Sequence, residues 1–517
     1  MLIPNSQLPT PKTDALGIGP WRLGVFLLGL CLVSLPAAAG AAGPQPEIVS
    51  AVKAGDAARV RTLVERKADV NAAEADGTSA LHWAVRGGHA TTTELLIRAG
   101  ARVNAANRYG VTPLSLAARN GRGDLIDLLL HSGASVKTAE ATLPEGQTLA
   151  MLAARTGQVD ALKRLVTAGS DVNAQETRTG TTALIWAATS NHAAAVLALA
   201  EAGADLNIQS KVTAYPHTQN GVLLSGVEEG VSYVGQTVLP RGGWSAVMYA
   251  AREGSTDAVR ALADAGANLD LVDPEGTTAL ILAIINGHWD AAAVLIDKGA
   301  GLNLADIKGM TPLYAAIDMH TLGDTFGRPY PATPVIEGSV GVIKMLLAKG
   351  ADPNARLKGA ILKRQYDAGD NRLGEGATPF MRAARKCDAA VMTLLLAAGA
   401  DPKLSQKSGN TALMLAAGAV TSNGDETQRI SEAQALAAIK IAIAAGLDVN
   451  ETNATGDTAL HTAATTNGGL PSIIRFLADS GARFDITNKG GRTPLAAAQR
   501  ARQPNPDTIA LLEQLSR

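Results

Sequence analysis

Residues 110–120 read Gly-Val-Thr-Pro-Leu-Ser-Leu-Ala-Ala-Arg-Asn. Gly110 permits a tight turn that a residue with a Cβ would strain. Thr112 stands where an N-cap hydroxyl satisfies an orphan backbone N–H, and Pro113 follows at the position where a missing N–H costs nothing. Leu114, Leu116, Ala117 and Ala118 then give a short apolar helix with small residues for close packing. Asn120-Gly121 ends it. A second helix over 125–131 carries Leu125, Ile126, Leu128, Leu129 and Leu130, and Gly133 closes it where left-handed geometry is wanted.

The motif Gly-x-Thr/Ser followed by Pro, Ala or Leu recurs along the chain. Its hydroxyl residues are Ser79, Thr112, Thr148, Thr182, Ser245, Thr278, Thr311, Thr378, Thr411, Thr458 and Thr493. Most spacings lie at or near 33 residues, and those after Thr182, Thr311 and Thr411 are stretched. The closing glycine recurs too, as Gly100, Gly169, Gly203, Gly266, Gly299, Gly350, Gly399, Gly446 and Gly481, followed by Ala-Asp-x-Asn or a variant. A period in this range means a solenoid, in which each unit buries its apolar face against its neighbours. Such an array offers a long surface rather than one deep pocket.

These residues resemble the ankyrin repeat. The family signature T-P-L-H-x-A-A is approached by Ser79-Ala80-Leu81-His82-Trp83-Ala84 and by Thr458-Ala459-Leu460-His461-Thr462-Ala463-Ala464. The second-helix ending Lys349-Gly350-Ala351-Asp352-Pro353-Asn354-Ala355 is similar as well. The resemblance covers about residue 47 to the end. It departs from the pattern at Thr148-Leu149-Ala150-Met151, where the Ala-Leu order is reversed, and at Lys67, which replaces a closing glycine. The fold expected is all-α: an ankyrin-repeat solenoid of about 12 helix-turn-helix units with hairpin loops and four insertions.

Residues 44–71 lack the Gly-x-Thr lead and read as an N-terminal capping half-repeat, with regular repeats over 72–207. An insert follows at 208–243, then repeats over 244–354 with a helix-loop insert at 318–339. A third insert spans 355–376, and repeats over 377–517 carry the fourth, 418–432, and a C-terminal cap. The first insert alternates small polar and apolar residues between glycines, a hairpin pattern.

At 517 residues the chain is too long for one globular core, but a stack has no such limit. With 46 basic and 47 acidic residues and no basic tract, composition gives no argument for nucleic acid or an anionic membrane. At the N-terminus, Arg22 precedes an apolar run, Leu23 to Leu35, and then Pro36 and Ala37-Ala38-Ala39. This reads as a secretory signal peptide, residues 1–42, the run being shorter than the ~20 residues that span a bilayer. An uncleaved anchor is the alternative. Removal would take Cys31 and leave Cys387 without an internal disulfide partner. The expected location is therefore periplasmic or secreted, with no stable membrane insertion after cleavage; the periplasm itself follows from the resemblance rather than from the residues.

Partners of ankyrin proteins bind hairpin tips and the exposed end of the first helix, so the resemblance implies candidates of both kinds. The first-helix ends are Arg86, Arg119, Arg155, Arg252 and Arg385, interrupted by Thr189, Ile285 and Asp318; the tips supply Arg108, Tyr109, Arg178 and Trp244. The inserts add Tyr215, Tyr233, Lys363, Arg364 and Tyr366. Arginine suits carboxylate and phosphate recognition and is enriched at interfaces, although an arginine on a helix is also simply a good helix former with a soluble head. The eight histidines include none paired at metal-ligand spacing, and neither HExxH, Cys-x-x-Cys nor Gly-x-Ser-x-Gly occurs. His82 and His461 sit in the signature slot, which the resemblance assigns to bracing neighbouring loops. The expectation is a non-catalytic protein-binding scaffold without cofactor or metal, in the cell envelope, that binds its partner through the concave face and the loop inserts; stabilising or inhibiting a periplasmic enzyme is a subtype that the resemblance implies. Alternatives are a small-ligand or glycan receptor using the insert aromatics, and a secreted effector that binds a host protein.

Overall fold

The structure, a computed structural model, describes residues 45–141, 143–212, 242–321, 335–361, 372–419, 430–466 and 470–517. Residues 45–517 form one unit. The N-terminal apolar run, Tyr215, Tyr233, Lys363, Arg364 and Tyr366 lie outside the described residues, as does part of each insert.

Among the described residues there are twelve helix pairs, numbered here 1 to 12 in chain order. Their first helices are Glu47–Lys53, Ala80–Arg86, Pro113–Arg119, Leu149–Arg155, Ala183–Thr189, Ala246–Glu253, Ala279–Ile285, Pro312–Thr321, Pro379–Arg385, Ala412–Ala417, Ala459–Thr465 and Pro494–Gln499. The second helices are Ala57–Glu65, Ala90–Arg98, Gly123–His131, Val159–Thr167, Ala193–Glu201, Thr256–Asp264, Trp289–Asp297, Val335–Ala348, Ala389–Ala397, Glu432–Ala444, Pro471–Asp479 and Pro506–Leu515. Every first helix packs on the next first helix and every second helix on the next second helix, so two unbroken rows run from pair 1 to pair 12. The rows stay continuous across the long gap between pairs 5 and 6.

Local chemistry explains the short helices. Thr112 Oγ1 accepts the N–H of Ser115, and Thr148, Thr182, Thr278, Thr378, Thr411, Thr458 and Thr493 cap their helices in the same way. Alanines at the centre of successive first helices, such as Ala84, Ala117, Ala153, Ala187 and Ala250, have no exposed surface. Their small size allows the close approach of the first row. Leu96, Leu129, Leu165 and Leu199 fill the second row as completely.

The closing glycines take positive φ. Lys67, which stands in the same slot of pair 1, adopts φ 57 without being glycine. At Gly350 φ is 94 and an added Cβ would meet no neighbour, so the constraint there is conformational rather than steric. Gly350→Val should cost roughly 1–3 kcal/mol, because a β-branched residue is excluded from this region. Urea unfolding followed by circular dichroism measures it; an unchanged midpoint would contradict the assigned backbone conformation.

Repeats are joined by side chains as well as by packing. Asn71 donates to the carbonyl of Gly100 at 3.0 Å and accepts the N–H of Arg102 at 2.8 Å. Asn104, Asn173, Asn303, Asn354 and Asn450 make the same two bonds to the following repeat. The Asn of Ala-Asp-x-Asn is therefore an inter-repeat staple. Hairpin tips form a second ladder, with the N–H of Arg108, Thr177, Lys211, Ile307, Lys358, Lys407, Ala454 and Lys489 each donating to a carbonyl of the preceding tip.

One connection departs from the pattern. After Gly133 the chain forms an extra helix, Val136–Ala141, and a 3-10 turn, Pro144–Gly146. Lys137 occupies the staple position there, and Ser135 Oγ instead accepts the N–H of Thr138 at the start of the new helix. Glu140 from this helix accepts the N–H of Leu149 at 2.9 Å, tying it to pair 4.

Candidate functional site

The first-helix ends and hairpin tips of pairs 2 and 3 enclose an open cleft of about 240 Å³. Its lining includes Asp76, Trp83, Arg86, Asn107, Tyr109 and Arg119. The buried His82 forms its floor. His82 Nε2–H donates to the carbonyl of Val111 at 3.0 Å, while Nδ1 accepts the hydroxyl of Ser79 at 2.8 Å. Burial pushes this imidazole below its ordinary pKa, which suits a neutral bracing group. His461 makes the same brace to the carbonyl of Arg492 at 3.0 Å.

Trp83 is half-buried, and its Nε1–H donates to Glu74 at 2.7 Å. Two cations approach the indole, with Lys53 Nζ 4.2 Å and the Arg86 guanidinium 4.9 Å from its ring centre. Glu74 also accepts from Lys53 and Gln45. Burial acts to raise its pKa, but the hydrogen bonds from Lys53 and Trp83 outweigh this and hold the carboxyl low. Asp76 is likewise held low, chiefly by the backbone N–H of Thr78, so it enters the cleft as a carboxylate. Tyr109 is 63% exposed, the Arg108 guanidinium stacks 5.1 Å from its ring, and Arg108 Nη2 donates to its hydroxyl at 2.9 Å.

The remaining first-helix arginines fall into two groups. Arg86, Arg119 and Arg155 are exposed, and none is paired with a carboxylate among the described residues. Arg155 stacks on Trp186 of the next repeat at 5.2 Å. Arg252 is half-buried, stacks on Trp244 at 5.0 Å and pairs with Glu253 at 3.2 Å. Arg385 is half-buried beside the carbonyl of Gly418, 3.4 Å away. At the tips, Arg178 is exposed and pairs with Glu145 at 3.4 Å. Trp244 is half-buried, donates to Asp273 at 3.1 Å and meets Tyr249 edge-on. It joins repeats rather than standing free.

The sequence reading did not single out Trp83 or Trp186. Both occupy the fourth position of their first helix, which Leu116, Leu152 and Leu282 fill elsewhere. Aligning the repeats on their N-caps would have found them as large aromatics in a half-buried slot.

Another juxtaposition was also invisible in sequence. His320 Nε2–H donates to Asp388 at 3.0 Å, and its Nδ1 lies 2.8 Å from Ser339 Oγ. The composition is that of a hydrolase triad, but Ser339 has no exposed surface, so no carbonyl can reach its hydroxyl. The trio instead ties the two helices of pair 8 to pair 9. Burial would raise Asp388, but the bonds from His320 and the N–H of Val391 more than offset it and hold the carboxyl low. Cys387 is buried and its thiol is pushed up to about 12 by desolvation, which makes it a poor nucleophile. Among the described residues no three His, Cys, Asp or Glu side chains are grouped to hold a metal ion, and no helix is long and apolar enough to cross a membrane.

No curated protein matches this chain. Among solved structures it is similar to the crystal structure of the human ASB11 ankyrin repeat domain, at 23% identity and a TM-score of 0.39, over 49% of this chain and 98% of that one. The family model described as ankyrin repeats (3 copies) matches residues 48–140, 137–210, 227–306, 247–357 and 429–513. These stretches span most of the unit built from paired helices, capping threonines and closing glycines: the chain belongs to the ankyrin-repeat family.

Proposed function

We propose that this chain is a non-catalytic protein-interaction scaffold whose partner is anchored in the cleft between Trp83 and Tyr109. Ankyrin repeats indicate a protein-interaction role in general. The observation that carries the specific reading is Tyr109, a large aromatic left 63% exposed beside a half-buried tryptophan in an open cleft. Aromatic and arginine side chains of this kind are the usual binding anchors. Export to the cell envelope, with a periplasmic enzyme as the partner to be stabilised or inhibited, is part of the proposal; the Arg22 to Ala39 stretch supports export, and the periplasmic setting rests on the family resemblance alone.

The test is capture from the periplasmic fraction with the tagged full-length chain, beside two variants. Trp83→Leu with Tyr109→Ala removes the anchor; leucine already fills the Trp83 position in pairs 3, 4 and 7. The second variant lacks 213–241. Its ends are already joined, because the N–H of Ser210 donates to the carbonyl of Trp244 at 3.0 Å and the N–H of Gly243 to that of Ser210 at 3.1 Å. The deletion should therefore leave the helical signal intact. A protein recovered by the native chain and lost with the anchor variant is the expected result. Equal recovery by both would move binding away from the cleft, and recovery of nothing from that fraction would count against the envelope location.

A further inference from the structure

The last residues of the first helices in pairs 2, 3 and 4 are Arg86, Arg119 and Arg155, one per repeat with no gap. All three are exposed, and none is paired with a carboxylate among the described residues. Other exposed arginines, such as Arg61, Arg66 and Arg102, also have no ion pair among the described residues, so what sets these three apart is their succession at one helix position. Arg59, Arg98, Arg122, Arg164, Arg178, Arg252, Arg382 and Arg483 all have an acidic partner. The column is bounded on both sides: in pair 1 the equivalent Lys53 is paired with Glu74, and in pair 5 the equivalent residue is Thr189. Two of the three guanidinium groups are also held in place, Arg86 on Trp83 and Arg155 on Trp186. Stacking orients a guanidinium plane while leaving its N–H edge open to a planar acid.

From this column we propose that the partner presents an acidic segment in polyproline-II conformation, with a carboxylate at every third residue, along the first-helix ends of pairs 2 to 4. The spacing argument is geometric. Consecutive first helices pack directly on one another, which sets neighbouring arginines about 8–10 Å apart. Three residues of polyproline II advance about 9 Å and return to the same face, matching that step. A β-strand covers a similar distance in three residues, but its side chains alternate, so the second acid would point away. Asp76, the carboxylate that lines the adjoining cleft, repels an acid placed on the hairpin side and so directs the acids toward the helix ends. The inference rests on the scaffold reading and names the chemistry of its partner.

The probe is a fluorescein-labelled peptide of four Glu-Pro-Pro units, with a second peptide of identical composition whose glutamates are adjacent and a third with lysine in place of glutamate. Anisotropy is measured with the full-length chain at low and high salt. The test variant is Arg86→Ala/Arg119→Ala/Arg155→Ala. The control is Arg59→Ala/Arg98→Ala/Arg483→Ala, which makes the same change in net charge by removing arginines whose ion pairs are exposed. The expected result is binding of the regularly spaced acidic peptide, weakened by salt and weakened about tenfold in the test variant, three exposed charge pairs each contributing about twofold. The control should bind as the native chain does, and the clustered and lysine peptides should bind more weakly. Absence of binding by the spaced peptide, equal affinity for the clustered one, or equal loss in test and control variants would overturn the inference. Capturing the native partner with the arginine variant separates the two readings. If that variant retains a partner that Trp83→Leu/Tyr109→Ala loses, the cleft anchor stands and the acidic segment falls; if both variants retain it, the cleft anchor and the acidic segment both fall.

Discussion

Asp318→Ala is expected to destabilise the protein by about 3–5 kcal/mol, because it removes one side of a buried ion pair. Asp318 and Arg382 form an ion pair whose side chains are 9% and 3% exposed, between the first helices of pairs 8 and 9. Arginine does not deprotonate in proteins, so the charge on Arg382 persists when the acid is removed. The pair need not contribute that much as a net interaction. Desolvation offsets most of the attraction in such pairs, and the large cost belongs to breaking one side only. The double variant Asp318→Leu/Arg382→Met should therefore recover most of the loss. Equilibrium urea unfolding of the two singles and the double gives the coupling energy. A loss below about 1 kcal/mol in Asp318→Ala would mean that the pair behaves as a hydrated surface pair.

Asn303→Ala/Asn354→Ala should weaken two successive junctions by about 1–2 kcal/mol each, two hydrogen bonds being lost per site. Asn303 donates to the carbonyl of Gly350 at 3.2 Å and accepts the N–H of Asp352 at 2.7 Å; Asn354 makes the equivalent bonds to Gly399 and Asp401 at 3.1 and 2.7 Å. Solenoid stability is close to a sum of repeat terms and nearest-neighbour junction terms, so the loss is local to pairs 7 to 9. The following junction already has Lys403 at the staple position. The double variant should therefore loosen pairs 8 to 12 from pairs 1 to 7, giving a split or broadened urea transition. Amide exchange would place the early opening after pair 7. A single transition at the native midpoint would show that helix packing, and not the asparagine, holds these junctions.

Much of the architecture was legible because its causes are local. Thr112, Thr148 and Thr182 announce helix starts through a hydroxyl that bonds a backbone N–H three residues on. Gly133 and Gly350 announce helix ends because positive φ is a property of the single residue. The extra helix at 136–141 was not anticipated. Its stability depends on Glu140 reaching Leu149 and Ser170, and no local pattern encodes those contacts.

The candidate site was only half visible. Five arginines share one sequence position at the first-helix end, and sequence treats them alike. The structure divides them by neighbours that come from other repeats or the next residue: Arg252 is drawn to Glu253 and Trp244, and Arg385 to the carbonyl of Gly418. Arg86, Arg119 and Arg155 remain open to solvent. The sequence by itself thus determined the period, the helix pairs and their caps, because hydrogen bonds three or four residues apart and single-residue backbone preferences set them. Which charges are neutralised, which aromatics are pinned and which remain for a partner was decided only by tertiary structure, since those contacts join residues about one repeat or more apart and depend on what each neighbouring repeat places opposite.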